Sequence, residues 1–296
     1  MNDTIKYRPV AFALISLLII FFLYQVVGGG ITIYIFGNVQ LGKAASMIRL
    51  ATMTAEVLFI LVPTYLLTKL QTKDWMSFLR FRQADWIYIV LAIIGVIALQ
   101  QLLEIYLYFQ DLIPFPHQIK QVYDQLQKAM EETYNILGTA HSPMEFVLVV
   151  LAVAVTPAIC EETLFRGLVQ ANFELPMSKI KAIVWTGIIF GAYHLDPFTF
   201  VALCILGIYL SYLVSVSGSI IVPMTAHFTN NFISTLILYK FNKESLIASQ
   251  DHKPGAGYLI AWSVVLLLIF VATIRLTMNY NKSHLPLRES GSGMQG

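Results

Sequence analysis

The stretch Phe146-Val147-Leu148-Val149-Val150-Leu151-Ala152-Val153-Ala154-Val155-Thr156-Pro157-Ala158-Ile159-Cys160-Glu161-Glu162-Thr163-Leu164-Phe165-Arg166 decides the fold. Its residues from Phe146 to Cys160 carry no charge, and after Arg166 none follows until Glu174. A run of this length and polarity reads as a helix at membrane depth. A charge near the bilayer centre costs at least ~2.5 kcal/mol on insertion scales, so three of them together need a purpose. The default reading of Glu161, Glu162 and Arg166 is therefore a functional site inside a membrane.

The rest of the chain agrees. Its 296 residues are 57% hydrophobic and only 12% charged, with a mean hydropathy of +0.69, which is the composition of an integral membrane protein. A net charge of +2 argues against a nucleic-acid partner. Cys160 and Cys204 fall in apolar segments at no disulfide or metal spacing, and read as small buried hydrophobes. The N-terminal apolar run lacks a small-residue cleavage site and reads as a retained anchor. Stretches long enough to cross the hydrocarbon occur at 9–27, 47–68, 86–109, 145–173, 182–199, 200–216, 219–239 and 256–278. The expected architecture is thus an all-α bundle of about eight transmembrane helices, with one polytopic domain over 1–280, a motif-bearing core over 145–240, and a polar, disordered tail over 281–296. Eleven basic residues in or beside the inner segments, against seven outside, place both termini in the cytoplasm. Ile119, Val122, Leu126, Met130 and Leu137 recur at near-helical spacing in the polar stretch 111–143, so a helix lying along the outer interface is expected there. Gly28-Gly29-Gly30 reads as a turn after the first span.

Within the polar cluster, Glu162 and Arg166 stand four apart with the glutamate first, the favourable order for an ion pair on a helix. Glu161 points about 100° away and lacks a local partner. An unpaired carboxylate in low dielectric is suited to general-base work, so Glu161 is the expected base and Glu162/Arg166 its support. At 1.5 Å per residue, Glu161 and His194 each lie about 20 Å from the inner face and His227 about 14 Å, so all three share one layer. His227 and Asn231 are four apart on one helix face, and both side chains suit the stabilisation of an oxyanion. Pro157 and Pro223 each precede a polar residue (Glu161, His227) by four, where a kink is expected. Glu56 either lines the same cavity or makes a structural hydrogen bond, and Glu104 reads as solvated. The chain has no His-Glu-x-x-His, no Gly-x-Ser-x-Gly and no phosphate-cradling glycine loop.

Glu161-Glu162-x-x-x-Arg166, Phe190-x-x-x-His194 and His227-x-x-x-Asn231 resemble, in order, the three motifs of the CPBP family, which groups CAAX prenyl endopeptidases with bacteriocin-processing and Abi-type immunity membrane proteins. The resemblance covers about residues 145–240. It implies an intramembrane endopeptidase acting on a membrane-associated or lipidated substrate, such as a CAAX-like protein or a bacteriocin precursor, in a bacterial plasma membrane. Glu161 with His194 would activate water, His227 and Asn231 would stabilise the oxyanion, Glu162 and Arg166 would hold the site, and Phe190 would pack against it. Whether such a site uses a metal stays open: Glu161, His194 and His227 could ligate zinc, and an unaided glutamate-activated water fits equally well. A non-enzymatic immunity factor or sensor-kinase scaffold of the same fold is the alternative. A proton-coupled transporter is disfavoured, because no paired broken helices recur in two similar halves.

Overall fold

A computed structural model describes residues 5–36, 41–113, 117–241 and 255–291. Among these, nine helices longer than one or two turns form the molecule and no strand occurs. They are α1 (Pro9–Phe36), α2 (Ala44–Gln71), α3 (Trp86–Asp111), α4 (His117–Gly138), α5 (Pro143–Glu174), α6 (Lys179–Tyr193), α7 (Phe200–Ser217), α8 (Ile221–Phe241) and α9 (Ala256–Gly291). Large apolar side chains such as Leu18, Ile33 and Leu268 are exposed on α1 and α9. In water that surface would be unstable, whereas against lipid it is the expected exterior. The protein is an all-α membrane protein.

The expected count of eight spans resolves differently. Six helices (α1, α2, α3, α5, α7 and α9) are long and apolar enough to cross a membrane. α6 has 15 residues, about 22 Å at 1.5 Å per residue, too short for a ~30 Å hydrocarbon layer. α8 has the length, but Thr225, His227, Thr229, Asn230 and Asn231 interrupt its apolar run. Those two helices carry the second and third motifs. Two further expectations change. Gly28–Gly30 continue α1 as helix, with Gly28 set against Phe59, and α9 runs on to Gly291, past residue 280. Residues 292–296 lie outside the described residues.

Local chemistry explains the element boundaries. α5 starts at a capping box: Ser142 Oγ accepts from the Glu145 N–H at 3.2 Å, Glu145 accepts from the His141 N–H at 2.8 Å, and Pro143 takes the first helical position. Wide π-type turns interrupt α2 at Val57–Leu61 and α5 at Leu151–Val155 and Thr163–Val169. The first two precede Pro63 and Pro157, whose rings displace the carbonyls four residues back, Phe59 and Val153. α6 and α7 touch backbone to backbone: a Cβ on Gly207 would lie 2.9 Å from Gly187 Cα. Gly187 and Gly191, four apart, form the small-residue stripe that allows this approach. α6 ends where Leu195 adopts φ +53, a left-handed cap that a Cβ makes costly. From there the chain runs irregularly to Thr199, with Asp196 accepting from the N–H groups of Phe198 (2.9 Å) and Thr199 (3.3 Å).

The polar stretch does form a helix, α4, fastened across one end of the bundle. The buried Arg49 of α2 donates to the carbonyls of Ile136 (2.9 Å), Leu137 (3.0 Å) and Thr139, neutralising the helix C-terminus. The Tyr134 hydroxyl donates to Asp196 at 2.9 Å. A core of Ile20, Ile60, Leu164, Phe165, Leu168 and Phe190 lies where α1, α2, α5 and α6 meet, directly behind the polar cluster.

Candidate active site

Four helices converge on the charged turn of α5. Glu162 and Arg166 are wholly buried, and Arg166 Nη1 donates to Glu162 Oε1 at 2.7 Å. The same carboxylate oxygen accepts from His227 Nδ1 of α8 at 2.8 Å. Arg166 Nη2 donates to the Gly207 carbonyl of α7 at 3.0 Å, and its guanidinium lies 4.5 Å from the Phe190 ring centroid. Glu162 thus joins three helices through one arginine and one histidine. A buried charge set like this is tolerated because each ion has a hydrogen-bonded partner.

Glu161 faces elsewhere, as the helical offset requires. Its Oε2 lies 3.7 Å from His194 Nε2, at side-chain exposures of 17% and 27%. That gap exceeds a hydrogen bond, and Glu161 Oε2 has no hydrogen-bond partner. His194 Nδ1 lies 2.7 Å from the Phe190 carbonyl. A carbonyl only accepts, so Nδ1 carries a proton, and Nε2 is the nitrogen turned toward Glu161. Glu161 Oε2 and His194 Nε2 thus lie side by side, too close for a water in line between them but open to one placed beside both. Phe190 lies between the two imidazoles, 4.7 Å from the His194 ring and 5.9 Å from the His227 ring.

Asn231 lies one turn beyond His227. Its Nδ2 donates to the Val153 carbonyl at 2.9 Å, and its Oδ1 accepts from Asn230 at 3.0 Å. Val153 is four residues before Pro157, so its carbonyl is the one that proline leaves without a helical donor. One amide hydrogen of Asn231 mends that break and a second remains.

Glu161, Glu162, Arg166, Phe190, His194 and His227 come together, with Asn231 at their edge. Glu161, His194 and His227 do not converge as zinc ligands: no group of three or more His, Cys, Asp or Glu among the described residues is placed to hold a metal ion. His194 turns to Glu161, while Nδ1 of His227 turns to Glu162. Glu56 is buried and accepts from the Tyr24 hydroxyl at 3.4 Å. Sequence reasoning passed over Tyr24, Tyr193 and Asn230. Tyr24 is a hydroxyl in an otherwise apolar span and Tyr193 adjoins a motif histidine, and both features could have flagged them.

Residues 143–233 match the family described as Type II CAAX prenyl endopeptidase Rce1-like. No curated protein and no solved structure matches the chain. All seven motif residues fall inside the matched segment, so the likeness to the CPBP and CAAX-protease group is borne out there. The matched segment, about a third of the chain, is similar to that family of type II CAAX prenyl endopeptidases.

Proposed function

We propose that this protein is an intramembrane endopeptidase that hydrolyses a peptide bond of a membrane-associated or lipidated substrate, with both termini cytoplasmic. The observation that carries the reading is the Glu161–His194 pair, whose Oε2 and Nε2 lie 3.7 Å apart. A water held beside both gives one hydrogen to Glu161 and the other to a lone pair on His194 Nε2, which points its oxygen lone pair at a substrate carbonyl. Attack transfers the proton to Glu161 and leaves an oxyanion.

His227 takes a role slightly different from that expected. With Nδ1–H donated to Glu162, its Nε2 holds a lone pair in the neutral ring and an N–H only in the imidazolium. It therefore serves as a proton relay: the proton that Glu161 took from water passes to Nε2, where it faces the oxyanion, and from there to the leaving amine, so that Glu161 returns to the carboxylate. The Glu162 carboxylate holds Nδ1 as the donor and fixes the ring's orientation. The second amide hydrogen of Asn231 is available to the oxyanion. No step needs a metal.

The test is incubation of purified protein in detergent with a farnesylated peptide ending in Cys-aliphatic-aliphatic-X, and with double-glycine leader precursors. Products are mapped by mass spectrometry. One defined cut in wild type, lost in His194→Ala, is expected. A wild type that cuts none of these would favour the non-enzymatic scaffold.

A further inference from the structure

A cavity of about 450 Å³ adjoins the site where α3 ends and α7 begins. That is within the usual range for ligand pockets. α4 forms its roof with Gln127, Met130 and Glu131, and its floor is apolar, including Leu103, Leu203 and Leu206. Leu203 also packs on the core that holds Phe190. The cavity shares parts with the candidate active site. Asn230 lines it and hydrogen-bonds Asn231. The irregular segment that begins at His194 supplies Asp196, Phe198 and Thr199 to its wall. Asp196 is two residues from His194, no more than about 7 Å along the chain. Irregular backbone at this depth belongs where it lines a wet cavity.

The described lining residues carry one sign of charge: Asp111, Glu131 and Asp196 are among them, with no Lys, Arg or His. The donors seen on Asp196 are neutral: the Tyr134 and Thr199 hydroxyls and two backbone N–H groups. Asp111 accepts from the Tyr123 hydroxyl. Neutral donors hold a carboxylate in place without cancelling its charge, and low-dielectric walls focus the resulting field.

We propose that this cavity is the vestibule through which the substrate peptide reaches the site, and that it takes a segment bearing Lys or Arg within a few residues of the bond cut. The floor would cover the apolar part of that segment, and the carboxylates would select its cations. The proposal rests on the endopeptidase reading for what the segment belongs to, so its test reads binding alone.

The full chain is placed in phosphatidylcholine nanodiscs, whose neutral surface attracts neither peptide by charge. Anisotropy then measures its affinity for two dye-labelled hexapeptides, alike except that one carries three lysines and the other three glutamates. The lysine peptide should bind at least about tenfold tighter, with the preference falling as salt rises. Glu131→Lys, on the exposed face of α4, should weaken it by about three- to tenfold and strengthen the glutamate peptide. Asp111→Asn should shift the ratio in the same direction. Equal affinity for the two peptides, or a ratio unmoved in both variants, would overturn the proposal. A chain that prefers lysine yet cuts nothing would instead sink the endopeptidase reading alone.

Discussion

Replacing Glu162 by glutamine removes one charge and almost nothing else. Glu162 Oε1 accepts from Arg166 Nη1 at 2.7 Å and from His227 Nδ1 at 2.8 Å, while Oε2 has no partner. A glutamine carbonyl can occupy the first position and its amide the second, so both donors keep an acceptor. What is lost is the charge that balances Arg166, a side chain with 0% exposure. Both bonds lose the carboxylate's charge, about 1 kcal/mol each, and the arginine loses the counter-ion it is bonded to. Breaking a buried pair from one side costs about 3–5 kcal/mol, a figure that already contains the weakened bonds. At about 2–4 °C per kcal/mol, the melting temperature should fall by roughly 6–20 °C. Cys160 and Cys204 are both buried thiols, so a thiol-reactive dye reports unfolding in detergent without added labels. Removing both charges, in Glu162→Gln with Arg166→Met, should recover part of the loss, because no buried ion is then left unpaired. A Glu162→Gln protein melting within about 2 °C of wild type would refute the reasoning.

Three other perturbations follow from the same geometry. Arg49→Met should release the carbonyl end of α4 at a cost of about 2–3 kcal/mol, seen as faster hydrogen exchange over 130–138 with α5 unaffected; unchanged exchange would contradict the clamp. Asn231→Ala should lower stability by about 1–3 kcal/mol, because the Val153 carbonyl loses its donor, and should also slow turnover by about 100- to 1,000-fold. A slowed enzyme of unaltered melting temperature would remove the structural half of that role. Exhaustive chelation should leave turnover unchanged, since the donors do not converge; stoichiometric zinc that disappears in His227→Ala would overturn this.

Much of the site was legible because charge is so costly at membrane depth. Glu161, Glu162, Arg166, His194, His227 and Asn231 stood out against apolar sequence, and helical spacing separated Glu161 from the Glu162–Arg166 pair. Partners distant in sequence were not legible. Nothing in the spacing ties His227 to Glu162 across 65 positions. Pro157 could be read as a kink, but that Asn231 repairs the carbonyl it frees depends on how α8 lies against α5. Arg49 counted as an outer basic residue in the orientation argument, yet its charge is consumed by the end of α4. The fifth expected span, 182–199, ran six residues too far, because Leu195 turns left-handed and the helix stops at Tyr193. Gly28–Gly30 looked like a turn by composition, but packing of Gly28 against Phe59 outweighs the weak helix propensity of glycine.

The central claim is that Glu161 activates water beside His194. Its most direct test is the turnover of a quenched farnesylated peptide by wild type and by Glu161→Gln, side by side and at matched folding. Glutamine keeps the shape and the hydrogen bonding but cannot take the proton. The rate should fall by about 10²- to 10⁴-fold, while the melting temperature stays that of wild type, because Glu161 Oε2 accepts no hydrogen bond that the substitution would remove. Wild-type turnover by Glu161→Gln would contradict the account.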